Sequence, residues 1–269
     1  MRSRRLILIG GLLAVVVMVA WVALAHDSSQ TAARNSPPHR PVALAAMPPV
    51  KSAASRPARR RRSARHRRLR QHLSVEQLAG QRIIYAYAGL TPPASLLAVI
   101  RAGDATGVIF FAPNISSLSQ IHEVIRELQQ ASHASGARAP LLMLTDQEGG
   151  EVRRLPGPPV LSEKQIGAST SAPALARDAG AGAGRSLAEV GMNVNLAPVL
   201  DVFRQPENFI DEYQRSYSSN PDTVARLGAS FIAAQQQMGV AATAKHFPGL
   251  GSATQAQNTD LGPVTLNAC

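Results

Sequence analysis

Apolar residues along this chain come in short dense runs, separated by stretches in which they recur every three or four positions. IIYAYA (83–88) precedes PPASLLAVIRAG (92–103), and GVIFF (107–111) precedes SLSQIHEVIRELQQAS (117–132). LLMLT (141–145) is followed by a polar loop and an alanine-rich helical pattern around 173–190. MNVNLAP (192–198) then leads through a long loop to PDTVARLGASFIAAQQQM (221–238) and AATAKHF (241–247). Short continuous apolar runs read as strands buried on both faces, and the 3.6-residue patterns between them as amphipathic helices. Their alternation predicts parallel βαβ units. Local signals agree: Asn220 and Pro221 form an N-cap and first-turn pair, and Gly239 stands where a helix-ending glycine belongs. AGAGAGR (179–185) lies inside a helical pattern, not after the first strand, so it predicts a close helix packing surface rather than a dinucleotide fingerprint.

Polar residues collect where the apolar runs end. LLMLT runs into Asp146, Gln147, Glu148 and two glycines, and AATA runs into Lys245, His246 and a Pro-Gly turn. Opposite charges at two strand ends are how a polar small-molecule site is built on a parallel-strand scaffold. The fold class expected is therefore α/β, a (β/α)8 TIM-type barrel, of which about five βα units are identifiable. Ser74 to Cys269 supplies 196 residues, where a closed eight-stranded barrel takes about 250. The expectation is the N-terminal portion of such a barrel, in a truncated chain or fragment.

Four motifs, TDQEGGEVRRL (145–155), MNVNLAPVLDV (192–202), QRSYSSNP (214–221) and AATAKHFPGLG (241–251), resemble in order the motifs of the glycoside hydrolase family 3 N-terminal domain, bacterial β-N-acetylhexosaminidase type. The resemblance covers nearly all of residues 74–269. It implies a glycosidase that cleaves O-glycosyl bonds with retention, acts on an N-acetylglucosamine-containing glycan, and needs no metal or organic cofactor. It implies substrate binding by Asp146, Arg154, Arg215, Lys245 and His246: the aspartate accepts from sugar hydroxyls, and the two arginines and the Lys-His pair donate to sugar oxygens. Glu148, Gly149 and Gly150 are expected to shape the loop and Arg153 to be structural, while Asp201 is open between scaffold and substrate contact.

The chemistry of retention needs a nucleophile and an acid/base. The resemblance places the acid/base on a histidine shortly after the Lys-His-Phe-Pro-Gly motif, but Leu250 interrupts the expected glycine-flanked histidine and no histidine follows His246. Asp260 is the only ionisable group near the expected place, with a loop-capping role as its alternative. The family's catalytic aspartate lies on a later strand, so the nucleophile is expected to be absent from this chain. A non-catalytic sugar-binding protein, a nonfunctional fragment and a β-glucosidase-type specificity are the alternatives.

The formal charge of +11 suggests nucleic acid until its distribution is examined. Of 28 Lys and Arg, 15 precede Ser74 with one of the 17 acids, which leaves 13 bases and 16 acids in the globular part. No nucleic-acid partner is expected. Arg2, Arg4 and Arg5 precede an uncharged apolar run from Leu6 to Ala25. That run would span about 30 Å as a helix, the thickness of a bilayer core. Residues 1–25 therefore read as a retained signal anchor, with a signal peptide cleaved after Ala25 as the alternative, and the rest of the chain as exported. Residues 26–73 are rich in Pro, Ala and Arg and read as a disordered linker, whose basic cluster Arg56–Arg70 offers contact to anionic wall polymers or lipid headgroups. The single cysteine, Cys269, excludes an internal disulfide, so the domain must rely on its core.

Overall fold

A computed structural model of the chain describes residues 73–135, 139–204 and 208–254. Five parallel strands alternate with helices, as the apolar pattern predicts. In chain order the elements are α1 (Val75–Gly80), β1 (Ile84–Tyr85), α2 (Ala94–Ala102), β2 (Gly107–Ile109), α3 (Leu118–His133), β3 (Leu142–Thr145), β4 (Gln147–Gly149), β5 (Val152–Arg153), α4 (Glu163–Gly167), α5 (Ala172–Glu189), β6 (Val194–Asn195), α6 (Phe209–Glu212), α7 (Pro221–Gln237) and β7 (Ala241–Ala242). The hydrogen-bonded strands are shorter than the apolar runs that contain them, because each run continues into the turn at the rim.

The sheet order is β1-β2-β3-β6-β7, every pair parallel. Sequential order without reversal is the winding of a barrel; a doubly wound sheet reverses at a switch point. The five strands are thus consecutive staves of a barrel-type wall. Side chains alternate across each strand. Tyr85, Val108, Phe110 and Met143 face the helices and pack with Leu96, Ile100, Ile121 and Leu128 of α2 and α3. Ile84 and Leu142 stand at alternate positions on the other face, where they remain 43% and 39% exposed.

Helix boundaries follow their local chemistry. Ser117 caps α3 by accepting from the Gln120 N–H, Asn220 caps α7 by accepting from Thr223, and Gly239 follows α7 with φ of 83°. The glycines of α5 let it lie against α7: a Cβ on Gly180 would collide with the Phe231 backbone, and one on Gly184 would stand 2.7 Å from Met238 Cβ. Ala176, Ala183, Leu227 and Phe231 fill the seam between the two helices. The AGAGAGR stretch is a packing surface, as its place in the pattern indicated.

The polar loop after β3 has more structure than its sequence announces. β4 and β5 form a small antiparallel hairpin, and the fully buried Gln147 anchors it. Gln147 Oε1 accepts from the N–H groups of Arg154 (3.1 Å) and Leu155 (2.9 Å), and its amide donates to the carbonyls of Leu155 and Pro158, each at 3.1 Å. Asn195, at the end of β6, binds the Gln147 backbone in both directions, at 2.9 and 3.0 Å, and donates to Gln235 of α7 at 2.7 Å. Each side-chain polar atom of this relay has a protein partner. A large side chain in the core contributes about 1.5–3 kcal/mol by burial, and leaving one buried polar group unmet costs a comparable 1–3 kcal/mol or so. Replacing Asn195→Ala strands the Gln147 backbone and the Gln235 amide together, so it is expected to destabilise by at least about 2 kcal/mol. Urea unfolding followed by circular dichroism measures this.

Candidate active site

Because Gln147 points into the protein, strand alternation sends its neighbours Asp146 and Glu148 to the opposite side, at the C-terminal mouth of the strands. Lys245 meets them there. It follows β7 by three residues, and its ammonium lies 2.7 Å from Asp146 Oδ1 and 2.5 Å from Glu148 Oε1. Glu148 also holds Arg215 in a two-point fork, Oε2 to Nε and Oε1 to Nη2, both at 2.9 Å. Arg154 approaches the other oxygen of Asp146 at 3.9 Å, beyond hydrogen-bond reach, and its buried Nε has no hydrogen-bond partner among the described residues. Three carboxylates, counting Asp201, stand with three cations within one network.

His246 connects the network to its second half. Its Nδ1 lies 2.6 Å from Asp201 Oδ2, and its Nε2 lies 3.1 Å from Arg215 Nη2. A guanidinium can only donate, so Nε2 accepts and the ring proton sits on Nδ1, donated to Asp201. Both nitrogens of the expected sugar donor are therefore engaged within the protein. Asp201 has a second task, since its Oδ1 accepts the Leu250 N–H at 2.6 Å and its backbone carbonyl accepts the Ser216 hydroxyl at 2.6 Å. Leu250 lacks the side chain of the histidine expected nearby, yet its backbone pins the turn. The Lys245–His246 and Phe247–Pro248 peptide bonds in this turn are cis.

Burial works to lower the Arg215 pKa, but the hydrogen bonds and charge of Glu148, with Asp146 and Asp201 behind, hold it above the ordinary arginine value. Arg215 is thus a fixed cation. Lys245 has three N–H donors and two carboxylate partners, which leaves one donor for a ligand. Asp146 Oδ2, the third lysine donor and the loosely held Arg154 fork together offer the acceptor and donors that a sugar diol requires.

Asp146, Arg154, Arg215, Lys245 and His246, all expected from the sequence, are brought into this one network. Glu148 was expected only to shape its loop; it is 2% exposed and binds two cations, so its carboxylate organises the cluster. Its spacing of two from Asp146 was the available signal, because residues two apart on a strand share a face. Asp201, left open between scaffold and contact, orients His246. Arg153 donates to the Gly157 carbonyl at 2.7 Å, a loop contact. Asp260, the segment 1–25 and the Arg56–Arg70 cluster lie outside the described residues. Among the described residues no helix is long and apolar enough to cross a membrane, and no group of three His, Cys, Asp or Glu is placed to hold a metal ion.

Comparison with known proteins supports the resemblance. An uncharacterized secreted glycosyl hydrolase of Arthroderma benhamiae is 44% identical over 190 residues, which cover 70% of this chain and 54% of that protein. Beta-hexosaminidase A of Pseudoalteromonas piscicida is 35% identical over 179 residues, 65% of this chain and 30% of that protein. Among solved structures, a family 3 beta-N-acetylglucosaminidase from Paenibacillus sp. str. FPU-7 superposes with a TM-score of 0.62 at 36% identity, covering 66% of this chain and 34% of that one. A beta-N-acetylhexosaminidase from Beutenbergia cavernae does so at 0.61 and 32% identity, covering 68% and 56%. The chain thus spans about half or less of the length of these two curated relatives. The sequence profile of the glycosyl hydrolase family 3 N terminal domain matches residues 64–267, and with the charged cluster at the strand ends this establishes that the chain belongs to that family.

Proposed function

We propose that this chain supplies the sugar-holding part of an exported β-N-acetylhexosaminidase that acts with retention on N-acetylglucosamine-containing glycans. The observation that carries the reading is the meeting of Asp146 and Lys245, at 2.7 Å, from separate strands at one mouth of the sheet. Asp146 receives sugar hydroxyls, while Lys245 and Arg154 donate to neighbouring oxygens of the same ring. Arg215, Glu148, His246 and Asp201 keep these groups in place. Both strand-end carboxylates are engaged by one ammonium, which suits them to accept hydrogen bonds and not to attack an anomeric carbon. The nucleophile and the acid/base are assigned to residues other than these. Asp260 remains the candidate proton donor.

Export is supported by the basic and then apolar sequence of residues 1–25 and by the secreted relative. One observation favours a non-hydrolytic sugar-binding protein as second reading: Leu250 interrupts the motif where the resemblance leads one to expect a histidine. The two readings differ in turnover. Under the hydrolase reading the protein, at the length of its relatives, releases the aryl group from an aryl N-acetyl-β-glucosaminide and prefers it to the matching β-glucoside. Binding without release under the same conditions would support the second reading.

Calorimetric titration with N-acetylglucosamine is expected to show that Asp146→Asn weakens binding by about tenfold or more, the loss of a charge-assisted acceptor, with little change in melting temperature because Lys245 keeps Glu148. Unchanged affinity would refute the site. Glu148→Ala is expected to behave in the opposite manner. It leaves Lys245 and Arg215 without their shared buried counter-charge, and destabilisation of about 3–5 kcal/mol in a urea melt is the expected result.

A further inference from the structure

Behind the charged cluster lies a carboxyl that none of these roles uses. Glu163 opens α4, and its side chain folds inward until the residue is 1% exposed. Oε1 accepts the Val199 N–H at 2.9 Å, whereas Oε2 is buried with no hydrogen-bond partner among the described residues. The buried Tyr217 hydroxyl also has none.

Val199 is the residue that bridges Lys245 in parallel register. The same stretch holds the lysine backbone from both sides: its N–H donates to the Pro198 carbonyl at 3.2 Å, and its carbonyl accepts the Leu200 N–H at 2.7 Å. Asp201, two residues beyond Val199, accepts the hydrogen bond from His246 Nδ1. One hydrogen bond, donated by Val199 to Glu163, therefore supports the strand end on which the placement of Lys245, Asp201 and His246 depends.

The environment also bears on the form this carboxyl takes. An ionised carboxylate with one backbone donor and no ion pair is costly in a protein interior. The cluster in front is already matched, three carboxylates against three cations. The charged and titratable groups acting on Glu163 are Glu148, Lys245, Arg215 and Tyr217, while Asp201 is engaged with His246, and Lys164 on its own helix with Asp211. We propose that Glu163 is a positioning residue that works as an uncharged buried carboxyl, fixing Val199 and through it the Lys245 and Asp201–His246 arrangement.

Burial first, and then the charge of Glu148, push the Glu163 carboxyl well above its ordinary value of 4.5, against smaller opposing effects of the Val199 hydrogen bond, Lys245 and Arg215. The folded protein thus keeps a proton that the unfolded chain releases. Its contribution to stability is complete below the ordinary carboxylate range and is lost as pH rises toward the folded-state value. Ionised, Glu163 would press a further negative charge against Glu148.

The effect on ligand affinity rests on the sugar-holding reading; the protonation state does not, and one set of variants tests both. Thermal midpoints of the wild type, Glu163→Gln and Glu163→Ala are measured from about pH 5 to about pH 9, together with N-acetylglucosamine affinity at neutral pH. The wild type is expected to lose thermal stability with rising pH relative to Glu163→Gln. The glutamine keeps the acceptor for Val199 without a titrating proton, so its affinity should stay within about threefold of wild type, whereas Glu163→Ala should weaken binding by about tenfold. Parallel pH curves for wild type and Glu163→Gln overturn the uncharged role, as does a Glu163→Gln loss equal to that of Glu163→Ala. An undiminished affinity in Glu163→Ala overturns the positioning role. If the wild type itself does not bind the sugar, the functional reading has failed and the pH curves alone decide the state of Glu163. They decide it equally if Glu163→Ala does not fold.

Discussion

The ammonium of Lys245, shared between Asp146 and Glu148, joins the far end of the described sheet to its middle. It draws the turn after β7 back over the loop after β3, and every other contact of the site follows from that closure. Arg215 reaches Glu148 because the carboxylate is already fixed, His246 reaches Arg215 because it is the next residue after Lys245, and Asp201 completes the line. Buried charge of this kind does little for net stability, since desolvation consumes most of the attraction. Its value lies in orientation. Each partner has one arrangement in which its charge is met, so a cluster held by several such pairs is organised before any ligand arrives.

The scaffold beneath is arranged so that the cluster can form. Gln147 points inward and is fully paired, which obliges the residues on either side to point outward together. Asn195 and Gln235 carry that constraint from the hairpin into α7 and back to the Ala241 carbonyl at the start of β7. The polar relay in the interior and the ionic network at the rim therefore link the same strands, one layer apart. Glu163 connects the layers through Val199.

Much of the architecture was legible in the sequence because its cause is local. Apolar runs such as LLMLT and periodic stretches such as SLSQIHEVIRELQQAS each carry their own signal, and Asn220, Pro221 and Gly239 mark one helix at both ends. The hairpin of β4 and β5 was not legible, because strands of two or three residues have no periodicity; it exists through Gln147, a tertiary feature. The same distinction applies to the site. Asp146, Arg154, Arg215, Lys245 and His246 were named through motifs, whereas the organising part of Glu148, the orienting part of Asp201 and the burial of Glu163 depend on neighbours 36 to 67 positions away in the chain. His246 shows the limit most clearly, since only its contacts reveal that both ring nitrogens are already engaged.

Crystals of the protein grown with N-acetylglucosamine test the central claim most directly. The account predicts a sugar at the mouth of the strands, with hydroxyls within hydrogen-bond distance of Asp146, Arg154 and Lys245 and the Asp201–His246 pair intact. A sugar seated elsewhere with this cluster untouched, or Asp146 and Lys245 facing opposite ends of the molecule, would contradict it.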